Sequence, residues 1–201
     1  MTSLRTCLWL TAATAIAVTG ACNKAASTND AAANASAAAA GTNSTASSDP
    51  IASAESAAPA SIAHQASIVT VGSDGKMTTL RAGKNGWTCM PDAPDTPGPD
   101  PMCMDANAAK WATAWMGHKP PPEGTTGVMY MLEGGTDASN TDPYATKPTS
   151  DNDWVKTGPH IMIVGSKEVL AGYPSGTNPD ASAPYVMWAG TPYAHLMVPM
   201  K

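Results

Sequence analysis

His160-Ile161-Met162-Ile163-Val164 and Ala194-His195-Leu196-Met197-Val198 decide the reading of this chain. Each run is apolar and carries an imidazole and a thioether two residues apart. Side chains alternate along a strand, so each His shares a face with its own Met if both runs are strands. A neutral imidazole and a thioether are soft donors, and a paired set of them suits Cu(I). The candidate metal ligands are therefore His160, Met162, His195 and Met197, with Met129, Met131 and Met187 as further thioethers.

Neighbouring segments extend the same pattern. Tyr185-Val186-Met187-Trp188-Ala189-Gly190 predicts another strand, and Gly127-Val128-Met129-Tyr130-Met131-Leu132, apolar on both faces, predicts a central buried one. The β-branched run Ser67 to Val71, the turn signal Ser73-Asp74-Gly75 and the alternating Lys76 to Arg81 predict a hairpin. Asn85-Gly86 offers a second turn, and Trp87 to Met90 follows as a third strand. Asp105 is a good N-cap for a helix from Ala106 to Met116, which Gly117 and Pro120 end. Ala108, Trp111, Ala112, Trp115 and Met116 share one face of that helix and predict core. His118 at the helix end reads as a cationic side chain near the last carbonyls. Several strands, one well-defined helix and Pro/Gly-rich loops give an α+β fold with a mostly antiparallel sheet.

The chain has 12 Met and no Phe, so Met is also expected to fill core space. A formal net charge of -5 without a basic cluster argues against a nucleic-acid partner. Arg5 followed by the apolar run Leu8 to Val18 reads as a secretory signal, too short to span a bilayer as a helix. Its end, Thr19-Gly20-Ala21-Cys22, resembles the lipobox of bacterial lipoproteins, with Thr19 standing where that family has Leu, Val or Ile. The resemblance implies a signal over residues 1–21, lipidation of Cys22 and a membrane partner through the lipid. Asn23, rather than Asp, implies anchoring at the outer membrane, on the periplasmic side of the envelope. Residues 22–61 are rich in Ala, Ser and Thr and predict a disordered tether. A single domain is then expected over residues 62–201.

Cys89 and Cys103 flank a segment that five prolines keep out of helix and central strand alike. With Cys7 removed and Cys22 acylated, an oxidising compartment favours a disulfide between them. The competing role, a redox or metal-binding dithiol, lacks a C-x-x-C spacing and a nearby basic residue. The polar loop from Gly134 to Asp153 has the length of a functional loop. Its Asp137, Ser139 and Thr141 alternate as in a calcium loop but without the required Gly and bidentate Glu.

Gly86-Trp87-Thr88-Cys89-Met90-Pro91, Ala138 to Pro143, Gly158 to Ile163 and Trp188 to Tyr193 resemble a group of uncharacterised secreted bacterial proteins, over roughly residues 62–201. That resemblance implies no chemistry. The His-x-Met pairs also loosely resemble periplasmic copper chaperones, whose motif ends in His-x-Met with a first His at a comparable distance upstream. Ile161 and Gly172 depart from that family's methionines. Sequence motifs of hydrolases, P-loops, dinucleotide folds and zinc proteases are absent, which argues against an enzyme. The alternative is a small-molecule, carbohydrate or peptide binding module, with Trp154, Trp188 and Tyr193 lining a pocket beside Trp87, Tyr144 and Tyr185. His160 and His195 would then orient a polar ligand or act as acid and base in a hydrolase.

Overall fold

The computed structural model describes residues 47–96, 98–136 and 138–201. The expected signal, Cys22, most of the tether and Asp137 lie outside the described residues. The elements run α1 (Pro50–Ser56), α2 (Ala60–Ala63), β1 (Ser67–Val71), β2 (Met77–Arg81), β3 (Thr88–Met90), β4 (Met102–Met104), α3 (Ala106–Met116) and β5 (Gly127–Met131). Then follow β6 (Ala138–Ser139), β7 (Trp154–Val155), β8 (His160–Val164), β9 (Tyr185–Met187) and β10 (His195–Pro199). Eight strands form one sheet in the order β2-β1-β3-β4-β5-β8-β10-β9, and β6 pairs with β7 in a small second sheet. Within the large sheet β1 and β3 run parallel and the other neighbours antiparallel, so the fold is α+β.

Local chemistry sets these elements. In the β1–β2 hairpin Gly75 adopts φ 76°, a region costly for any residue with a Cβ. Asp74 holds the turn by accepting from the Lys76 amide at 3.0 Å. At α3, one Asp105 carboxylate oxygen accepts from the Asn107 and Ala108 amides at 3.0 and 2.7 Å. Its other oxygen accepts from Val128 on β5 at 3.0 Å, so a single side chain starts the helix and docks it to the sheet. The helix crosses β5 at Gly127, where a Cβ would lie 2.3 Å from the Ala108 nitrogen.

Residues 50–61, expected in the tether, instead form α1 and the first half of α2. Asp49 caps α1 and Pro50 opens it, a position where the missing amide hydrogen costs nothing. Ala54, Ala57, Ala63 and Ala66 are fully buried and form one core with Ile68, Cys89 and Cys103. Small side chains let these helices lie close on the sheet, with Ile51 and Ile62 partly buried against the same core. Arg81 fastens them by pairing with Glu55 and donating to the Ala63 carbonyl at 2.6 Å. Cys89 and Cys103 face one another across β3 and β4 and are disulfide-bonded beneath α1. Strand β4 emerges directly from the proline-rich segment, where no strand is expected. β6 likewise interrupts the polar loop, held by its pairing with β7. Among the described residues no helix is long and apolar enough to cross a membrane.

The sheet therefore carries a different core on each side. α1 and α2 lie with the disulfide on one face. α3 covers the other, where Met104, Trp111, Met129, Met187, Trp188 and Met197 are buried together.

Candidate functional site

Cross-strand register determines what the α3 side of the sheet presents. Met104 pairs with Met129, Met129 with Met162, and Met162 with Met197, which makes an unbroken row of thioethers across β4, β5, β8 and β10. His160, opposite Met131, lies two residues along β8 on one side of that row, and His195, opposite Met187, lies two residues along β10 on the other side. Because directly opposed residues share a face, all of these side chains belong to one surface. Above it lies a cavity of about 450 Å³, and nine of the 12 methionines line it together with His160 and His195.

The four expected ligands, His160, Met162, His195 and Met197, thus line a single cavity. They do not form one compact set. His160 stands opposite Pro199, and His195 lies four residues back along β10, about 13 Å at the usual rise of a strand. The imidazole-bearing positions lie on opposite sides of the thioether row, which fills the distance between them.

Both imidazoles are held in the same way. His160 Nδ1 lies 2.7 Å from the Gly158 carbonyl and His195 Nδ1 lies 2.9 Å from that of Tyr193, so Nδ1 carries the proton and Nε2 a free lone pair. A backbone carbonyl behind Nδ1 is the arrangement that fixes a metal-binding tautomer. His195 is fully buried, and its Nε2 has no hydrogen-bond partner. Burial pushes its pKa down to about 4, the Tyr193 carbonyl opposes the shift, and the His160 charge adds to it. The His160 pKa is also lowered by burial, with the Gly158 carbonyl opposing. The Trp111 indole N–H is a second buried group without a partner, and its ring lies 5.4 Å from that of His195. A donor and an acceptor, both unpaired, therefore line one cavity.

The Trp188 ring lies 4.8 Å from His195, and its indole N–H donates to the Ser139 carbonyl at 2.8 Å. Its φ of 56° is maintained by bonds into the Asn140 segment, which in turn donates to the Gly176 and Thr177 carbonyls. The polar loop thus acts as a brace for one cavity wall. At the mouth stand Asp95, Asp100 and Asp142. Burial raises the Asp100 pKa, and the neighbouring Asp92 carboxylate raises it further, while the Ala93 amide opposes.

Trp154 and Trp188 line the cavity, but Tyr193 does not. Tyr193 sits behind Trp111, edge-on at 6.3 Å, with its hydroxyl donating to the Lys119 carbonyl. Trp87 faces Tyr130 on the disulfide side. Tyr144 is exposed and stacks on His118 at 3.9 Å, so the His118 ring lies against an aromatic rather than along the helix carbonyls. Met90, Met102 and Met104 also line the cavity and were not among the expected thioethers. Their signal was available: Met102-x-Met104, Met129-x-Met131, His160-x-Met162 and His195-x-Met197 repeat one period-two spacing of soft donors.

Among the described residues no group of three or more His, Cys, Asp or Glu gathers that could hold a metal ion. The donors on offer are chiefly thioethers. No family model, curated protein or solved structure matches the chain. What the site does must be inferred from its chemistry.

Proposed function

We propose that the methionine face binds a soft monovalent cation, Cu(I), inside a lipid-anchored protein of the bacterial envelope. One observation carries the copper reading. Four consecutive neighbours in the sheet, β4, β5, β8 and β10, each bear a pair of Met or His at alternating positions on the same face. Thioether and neutral imidazole donors select Cu(I) over the harder divalent ions, and sulfur donors favour the reduced ion. The unpaired Nε2 of His195 supplies a nitrogen donor, and the carboxylates lining the cavity compensate the charge of the bound cation. The envelope location is supported by the signal-like N-terminus and Cys22, and by the Cys89–Cys103 bond, which is at home in an oxidising compartment.

Anaerobic titration of the purified protein with Cu(I), against bicinchoninate as competing chelator, tests this. The expected result is retention of Cu(I) in competition, with no comparable uptake of Zn(II). A chelator that keeps all the copper at every protein concentration overturns the proposal.

A second reading is favoured by the size of the cavity. About 450 Å³ falls within the usual range for small-ligand pockets, and Trp111, Trp154 and Trp188 supply flat apolar wall. A protein that ignores copper and retains an organic molecule in native mass spectrometry would establish it. Hydrolysis by the histidines is not favoured, because each Nδ1 meets a backbone carbonyl where a catalytic triad places a carboxylate.

A further inference from the structure

A smaller cavity, about 160 Å³, lies on the other side of His160. His160 and Met197 line both spaces, so they form the shared wall between the smaller cavity and the large one. Met200 lines the smaller cavity and is 43% exposed, whereas Met197 is 2% exposed. A solvent-facing thioether, a buried thioether and a buried imidazole therefore line one opening. The Tyr185 hydroxyl, buried and without a hydrogen-bond partner, belongs to a ring that lines the same cavity.

We infer that this smaller cavity is the port through which Cu(I) arrives from an external thiolate carrier, passing to Met200 and then to Met197 and His160. The inference rests on the copper reading of the larger cavity. Soft-ligand exchange requires an accessible donor that bonds the ion before the carrier lets go, and Met200 meets that need. In the first step the copper–thiolate bond to the carrier breaks as a copper–thioether bond to Met200 forms, and in the second that bond breaks as bonds to the Met197 thioether and the His160 imidazole form. Each electron pair stays on its own donor atom, and the copper remains Cu(I). The released thiolate stays on the carrier and keeps its charge. The mouth of the large cavity is differently equipped: its exposed thioether, Met116, is 49% accessible but shares the opening with Asp95, Asp100 and Asp142, which are hard oxygen donors.

The test is stopped-flow transfer of Cu(I) from its glutathione complex to the whole protein, read beside the equilibrium affinity. Met200→Ala should slow transfer at least fivefold and leave affinity within twofold of wild type. Ser182→Trp, which narrows the same opening from an exposed position, should also slow transfer. Met77→Ala, an exposed thioether on β2 that lines neither cavity, should transfer at the wild-type rate. Wild-type rates in both Met200→Ala and Ser182→Trp, or an equally slowed Met77→Ala, overturn the port while leaving the copper site standing. Wild-type protein that holds no Cu(I) at equilibrium removes the copper reading itself.

Discussion

The two faces of the large sheet are made from the same strands and differ in kind. On one face lie Met104, Met129, Met162 and Met197 with the two histidines, and on the other the intervening residues Val128, Ile161, Ile163, Leu196 and Val198. A chain without Phe that used Met only to fill space would use it on both faces. Here the strands forming the cavity place Met on one side, and branched aliphatics serve on the other. The sheet is a packing surface toward the aliphatic face and a donor surface toward the cavity.

Substitutions that keep volume and remove sulfur should break this distinction most sharply. Met129, Met162 and Met197 changed together to Leu should lower Cu(I) affinity at least a thousandfold, about 4 kcal/mol. Stability should change far less per site, since Leu and Met exchange for under about 1.5 kcal/mol in a core. Chelator competition and urea unfolding measure the two effects separately. If stability collapses while affinity holds, the methionines are core and nothing more.

On the opposite face, Cys89→Ala with Cys103→Ala should cost about 3 kcal/mol, the chain-entropy value for a loop of this size. Copper affinity should stay within a fewfold, because the bond lies under α1 and away from the cavity. An equal loss of affinity in this double variant would mean that the faces are not independent.

Acid should act through the donor face. His195 titrates at about 4 in the folded chain against an ordinary 6.5, so the unfolded chain binds more protons between those values. The stability gained by keeping this ring neutral is complete above pH 6.5 and is lost as pH falls toward 4, by at most about 3 kcal/mol. Asp100 works in the opposite sense, because its raised pKa favours the folded state on acidification. His195→Gln should flatten the fall of urea midpoint between pH 6.5 and 4. An unchanged slope would remove His195 as its cause.

The smallest effect is expected where the helix meets the sheet. Asp105→Ala removes a cap and the tie to Val128 and should cost about 1–2 kcal/mol, read from urea midpoints. A change below measurement would mean that Gly127 alone seats the helix.

Much of the fold was legible because its signals are local. Asp105 before an apolar helical face and Asp74-Gly75 between alternating runs each state their structure within a few residues, and Cys89 with Cys103 do so across 14. α1 and α2 were not legible: their buried residues are alanines, whose methyls count for little in any periodicity and gain value only when pressed on the sheet around Ile68. β4 was hidden by its proline-rich neighbour, although Met102-Cys103-Met104 holds its place through register with β3 and β5. At the site, the His-x-Met pairs could be read directly, yet their separation along β10 could not, because register is a property of two strands. Tyr193 was misplaced because an aromatic residue near a candidate site can equally well brace the wall from behind, as it does against Trp111.

X-ray absorption at the copper edge of the Cu(I)-loaded protein tests the central claim most directly. The donor face predicts a first shell dominated by sulfur, with nitrogen contributed by imidazole, and loss of the sulfur signal in the Met129, Met162 and Met197 to Leu variant. A first shell of nitrogen and oxygen alone, unchanged in that variant, would contradict it.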